Sequence, residues 1–189
     1  MTETPTFTVI KKQGDIELRD YSPYIKAEVD VTDTSYRNAI FQGFRILADF
    51  IFGNNIKSQK IAMTSPVQVE ESEKIAMTSP VTISGEDSYT VAFIMPSEYT
   101  LDTLPQPKNL AISFIKVEAR MLASMKFSGF YRENQAEKAK GKLQHWVEMQ
   151  GYEADGDFII ASYDPPWVPW FLARNEVMVP IKQDSVNVE

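Results

Sequence analysis

The chain has 189 residues, 43% hydrophobic and 12% aromatic, with 26 acids against 19 bases for a formal net charge of −7. That length and apolar content suit one large domain or two small ones with a substantial core, and exclude a disordered chain. The lack of cysteine excludes disulfides, thiolate metal sites and cysteine nucleophiles and fits a reducing compartment. An acidic balance with no basic run argues against nucleic acid and anionic membrane surfaces as partners. Met1 to Phe7 shows neither a basic start nor an apolar run, and no stretch approaches about 18 uninterrupted apolar residues. A soluble cytoplasmic protein is the expectation.

Phe7 to Lys12 and Ile16 to Tyr21 alternate on either side of a Gln13-Gly14-Asp15 turn, which predicts an opening hairpin. After Pro23, Tyr24 to Val31 predicts a third strand with Ile25, Ala27, Val29 and Val31 on one face. Thr32 to Ser35 supply helix N-cap candidates and Gly53-Asn54-Asn55 a stop, bracketing a helix near 35–52. At 100° per residue Ile40, Gly43, Leu47, Phe50 and Ile51 share one side, with Ala39 and Ile46 at its border. Phe41, Phe44, Ala48 and Phe52 form an adjoining side next to Arg37 and Arg45. So wide an apolar surface implies either burial on two sides or an aromatic face left for another molecule.

The octapeptide KIAMTSPV then occurs twice, at Lys60 to Val67 and at Lys74 to Val81, with Ser58 and Ser72 in matching positions. A repeat of 14 residues is too short for a solenoid unit. Each copy reads as strand, Thr-Ser-Pro bend, strand, with Ile61 and Met63, or Ile75 and Met77, alternating with smaller residues. The second copy leads through Thr82, Ile83 and a Gly85-Glu86-Asp87 turn into a strand from Tyr89 to Met95. Glu70, Glu71 and Glu73 follow the first copy, which places it as an exposed loop or edge strand beside the second. Prolines 96, 105 and 107 predict an irregular connection, followed by strands at Leu110 to Val117 and Ala119 to Phe127. Glu133 to Gln150, with Ala136, Ala139, Leu143, Trp146 and Val147 on one face and Gly151 as stop, predicts an amphipathic helix. Phe158 to Tyr163 and Glu176 to Ile181 are the last strands, on either side of a Trp- and Pro-rich loop. Both halves run strands, helix, strands, which predicts an internally duplicated α+β domain with two helices against a curved, mostly antiparallel sheet.

The lone histidine, His145, falls opposite the apolar face of the second helix, so the usual histidine-based triads and zinc sites are not expected. No GxGxxG occurs, and the one GxxxxG, Gly151 to Gly156, is followed by Asp157 where a phosphate loop needs lysine. No carboxylate pair stands out, so no catalytic constellation is proposed and no metal ligand is named. What remains is aromatic and thioether surface: Phe41, Phe44 and Phe52, then Trp167, Trp170 and Phe171, with Met63 or Met77. Arg37, Arg45 and Arg174 supply guanidinium forks for the rim. Such an apolar cleft suits a flat ligand carrying carboxylates, because the rings stack on its plane while arginine grips its acids.

IELRDYSPY (Ile16 to Tyr24), KIAMTSPV after the first helix, FIMPSEYTLDTLPQP (Phe93 to Pro107), FSGFY (Phe127 to Tyr131) and YDPPWVPWFLARNEV (Tyr163 to Val177) together resemble the SOUL haem-binding protein family. The resemblance runs from about Phe7 to Ile181, and the doubled octapeptide is similar to prokaryotic members. It implies one duplicated domain over residues 1–189, a distorted, mostly antiparallel β-barrel or sheet flanked by two α-helices. It also implies tetrapyrrole binding on the exposed face of the first helix beside the YDPP loop, without naming an axial iron ligand. The expected cofactor-binding residues are Arg37, Phe41, Phe44, Arg45, Ala48, Phe52, Trp167, Trp170 and Arg174. The expected function is non-enzymatic binding or carriage of haem or another tetrapyrrole. The alternative is an effector-sensing or interaction domain, since the same barrel resembles bacterial effector-binding domains.

Overall fold

The computed structural model describes residues 3–32, 35–71, 88–128, 133–163 and 174–182. Among these residues nine strands and two helices follow in the order β1 (Phe7–Gln13), β2 (Ile16–Tyr21), β3 (Tyr24–Val31), α1 (Tyr36–Ile51), β4 (Val67–Glu71), β5 (Tyr89–Ile94), β6 (Ser113–Val117), β7 (Arg120–Ser128), α2 (Glu133–Met149), β8 (Ile159–Ser162) and β9 (Arg174–Ile181). The strands form one antiparallel sheet, β1-β2-β7-β9-β8-β4-β5-β3-β6. Its connectivity is duplicated as expected. β3, α1, β4 and β5 pair so that β5 lies between β3 and β4, and β7, α2, β8 and β9 pair so that β9 lies between β7 and β8. The β4–β8 ladder joins the two halves.

One cross-strand row, Val29, Val91, Val69, Ile160, Val177, Met125 and Ile16, runs under both helices. Ala39 of α1 and Ala136 of α2 join Val69 and Ile160 in a single buried cluster. The helices therefore cover the same face. Gly43 brings α1 close to β5: a Cβ there would lie 2.5 Å from Val91 Cβ. At the end of α1, Gly53 at φ +113° turns the chain and the buried Asn55 amide donates to the carbonyls of Phe50 and Gln59.

The other face is forced inward by a short link. β2 and β3 are joined by Ser22 and Pro23, yet five strands stand between them in the sheet. Two residues span at most about 10 Å, whereas six flat strand spacings of about 4.8 Å would separate them by about 29 Å. The sheet must curl round, and the Tyr21 and Tyr24 rings meet across the seam with centroids 6.5 Å apart. The result is a distorted, open barrel with the helices outside.

The first KIAMTSPV copy is not peripheral. Its last residue opens β4, a central strand between β5 and β8, so the expected edge-strand placement is overturned, while residues 60–66 ahead of it are a loop. Of the acids that suggested exposure, Glu70 is accommodated: it lies 3.4 Å from the Lys26 ammonium, which also meets Glu28 at 2.9 Å. Nor do residues 60–66 form a strand. Ile61 is buried and its N–H donates to the Ile51 carbonyl, the Thr64 hydroxyl donates to the Ile94 carbonyl, and Ser65 N–H donates to the Glu3 carbonyl. Met63 is exposed. The strand expected from Leu110 begins only at Ser113, with Leu110 exposed. The second copy lies outside the described residues.

Candidate functional site

The outer side of α1 follows from its sequence period. Phe41, Arg45, Ala48 and Phe52 recur at helical spacing on one stripe. Phe41 is 53% exposed and Phe52 64%, and Arg45 is exposed between them. Ile56, just past the helix, is exposed as well and extends the apolar surface; it was not among the expected residues. Ala48 is buried. Phe44 is half-buried and stands edge-on to Phe93 of β5, with centroids 5.2 Å apart. The six-membered set on α1 thus divides into two core contributors, Phe44 and Ala48, and an exposed strip of Phe41, Arg45 and Phe52, while the Arg37 side chain is not among those described. Arg174 opens β9, exposed, three strands away from β5 on which α1 packs. Trp167 and Trp170 lie outside the described residues. His145 is exposed, and no cluster of metal-ligating side chains occurs among the described residues.

A cleft of about 350 Å³ opens elsewhere, between the segment before β1 and the end of β5, with Tyr24, Met95, Tyr99 and Lys116 in its wall. None of the expected binding residues lines it.

The inner face of the barrel holds a charged cluster that the sequence reading did not find. Strand alternation turns Glu17, Arg19 and Tyr21 of β2 away from α2, and Glu176 of β9 faces the same way. The Arg19 guanidinium, 2% exposed, donates to Glu176 at 2.7 and 2.8 Å, to Glu17 at 2.7 and 2.9 Å, and to the Tyr21 hydroxyl at 3.1 Å. Tyr163 donates to Glu176 at 2.7 Å, and Lys12 donates to Glu17 at 2.8 Å. Burial alone would raise the Glu17 carboxyl, but the bonds from Lys12 and Arg19 hold it down at about 2. Burial opposes the charge of Arg19, yet the Glu176 carboxylate raises its pKa above the ordinary arginine value. Burial, then the Glu176 charge, pushes Tyr163 well above the usual phenol range, so it stays a donor. The signal available in sequence was a glutamate directly before the apolar Val177 to Ile181 run.

The family model described as SOUL heme-binding protein matches residues 2–180. The human protein named Heme-binding protein 2 is 32% identical over 178 residues, covering 92% of this chain and 82% of its own length. Heme-binding protein 1 of Xenopus laevis is 27% identical over 162 residues, covering 85% of this chain and 80% of its own. In fold, the chain is similar to the EcmrR C-terminal domain, with a TM-score of 0.64 at 14% identity and coverage of 88% of this chain and 96% of that one. It is also similar to SAV2435 bound to tetraphenylphosphonium, with a TM-score of 0.52 at 14% identity and coverage of 89% and 94%. A match over nearly its whole length means that this chain belongs to the SOUL heme-binding protein family.

Proposed function

We propose that this protein binds or carries haem or a related tetrapyrrole without transforming it, on the outer side of α1. The observation that carries this reading is the exposure of Phe41 and Phe52 on one helical stripe with Arg45 between them, in a chain whose relatives are named heme-binding proteins. A flat macrocycle lies along this stripe, removing apolar ring area from water, and its carboxylates meet Arg45 or Arg37. Trp167 and Trp170, from the segment before β9, and Arg174, at the start of β9, are proposed to complete the site. Haem supplies its own iron chemistry when bound; the chain's part is to stack, orient and shield the ring. No helix among the described residues is long and apolar enough to cross a membrane, and cytoplasmic carriage is the reading proposed. A net charge of −7 opposes a nucleic-acid partner.

A second reading, an effector-sensing or interaction domain, is favoured by the fold likeness to the EcmrR C-terminal domain and to SAV2435 with its bound lipophilic cation. Titration with haemin, biliverdin and a cationic dye in parallel separates the two. A saturable Soret shift with haemin and no response to the dye supports tetrapyrrole binding; saturable dye binding without a haemin response supports the effector reading.

A further inference from the structure

The carboxylates inside the barrel are arranged as a receptor for a planar cation. Glu176 presents both oxygens to two parallel N–H groups at 2.7 and 2.8 Å, the fork geometry that selects guanidinium or amidinium over ammonium. The Phe7 ring lies 4.5 Å from the guanidinium carbon, close enough for a cation–π contact, and Tyr21 and Tyr163 place their hydroxyls at the same cluster. Glu17 is shared with lysines that reach in from the surface: Lys12 at 2.8 Å and Lys126 at 3.5 Å meet its Oε1. Among the described residues the cationic partner of Glu176 is Arg19 rather than a lysine. Among the described residues, this face also holds three buried polar atoms without a partner, one of them a donor, the Arg120 Nε. Ser124, opposite Glu17 in the ladder, has a fully buried hydroxyl oxygen without a partner. Gln68, separated from Glu176 by Ala161 on the intervening strand, has a buried side-chain oxygen without one.

We infer that the inner face is an organic-cation site filled from within, with Arg19 as its tethered ligand. The side chain occupies the place of an alkylguanidinium, neutralises Glu176, and denies the face to soluble organic cations. Arg19 is then the residue that sets ligand class there. This inference concerns the inside of the barrel and stands apart from tetrapyrrole binding outside α1.

Truncation to Arg19→Ala removes the atoms of N-ethylguanidinium beyond Cβ, so that compound is the probe. Binding is read by calorimetry and by the ligand dependence of the thermal midpoint. The expected result is saturable binding of N-ethylguanidinium to Arg19→Ala, at least about tenfold tighter than ethylammonium, because the ammonium cannot serve both oxygens at once. Native protein and Arg19→Ala/Glu176→Gln should show no saturable response. Equal responses in native and Arg19→Ala protein, or none in a folded Arg19→Ala, overturn the inference. Should Arg19→Ala fail to fold alone, refolding from urea becomes the readout: N-ethylguanidinium should restore the native far-UV spectrum and ethylammonium should not. Failure of that rescue overturns the inference equally. Haemin titration of the rescued variant should match the native protein.

Discussion

The Phe44 ring of α1 meets the Phe93 ring of β5 edge-on, 5.2 Å apart at an interplanar angle of 67°. Although it lies within the apolar surface that the helical period assigns to a ligand, this ring ties α1 to the sheet. Phe44→Ala should therefore cost about 2–3 kcal/mol of stability, less than a fully buried phenylalanine because the ring is only half-buried. Urea denaturation measures it. A loss under about 0.5 kcal/mol would show that the contact contributes little and that Phe44 belongs with the exposed strip.

Gly43 faces Val91 so closely that any side chain must displace β5 or the helix. Alanine gains up to about 1 kcal/mol in helix propensity, but overpacking of a core costs about 1–3 kcal/mol. Gly43→Ala should be net destabilising by about 1–2 kcal/mol in the same assay. A variant as stable as the native protein would mean that α1 sits further from β5.

Glu17 makes stability depend on acid. Its carboxyl titrates near 2 in the folded chain against 4.5 as the ordinary value, so the folded state binds its proton more weakly than the unfolded state. The stabilisation is present above pH 4.5 and is lost as pH falls towards 2, amounting to about 3 kcal/mol in total. Glu17→Gln should be less stable at pH 7 and should show a shallower decline across that window. An unchanged slope in urea midpoints between pH 5 and pH 2 would contradict the assignment.

How far the sequence reached depends on how local the determining interactions are. Both helices were legible from apolar period and stop signals, with Gly53 turning the chain as a glycine must at that φ. β3 was legible from alternation and β5 from an apolar run that follows a turn. The central position of β4 was not, because Glu70 and Glu71 look solvent-bound until Lys26, 44 residues earlier, is brought beside Glu70. Nor was the Arg19–Glu176 pair, whose members are 157 residues apart and meet only after the two halves of the barrel assemble. On α1, the period grouped Phe41, Phe44, Ala48 and Phe52 correctly on one side. Which of them remain exposed is decided by β5, which no helical wheel contains.

The repeat makes the β4 slot testable by deletion. Removing residues 60–73 joins Gln59 to Lys74 and offers Val81 to Gly85 in place of Val67 to Glu71. Thr82 replaces the buried Gln68, Ile83 replaces Val69, and Ser84 gives up the Lys26 contact while Glu28 remains beside that ammonium. Only residues 86–88 then connect to β5, a length suited to a hairpin. The deletion variant should be soluble and melt in one cooperative transition. Insolubility or a broad, non-cooperative melt would show that the slot requires the first copy's own continuation.

The central claim rests on the outer face of α1, and haemin titration of native protein against the double variant Phe41→Ala/Phe52→Ala tests it most directly. Neither ring is buried, so the variant should still melt in one cooperative transition. Native protein should give a saturable Soret shift, the double variant should bind at least about tenfold more weakly, and His145→Ala should reproduce the native spectrum. Native affinity in the double variant, or no saturable haemin binding by the native protein, would contradict the account.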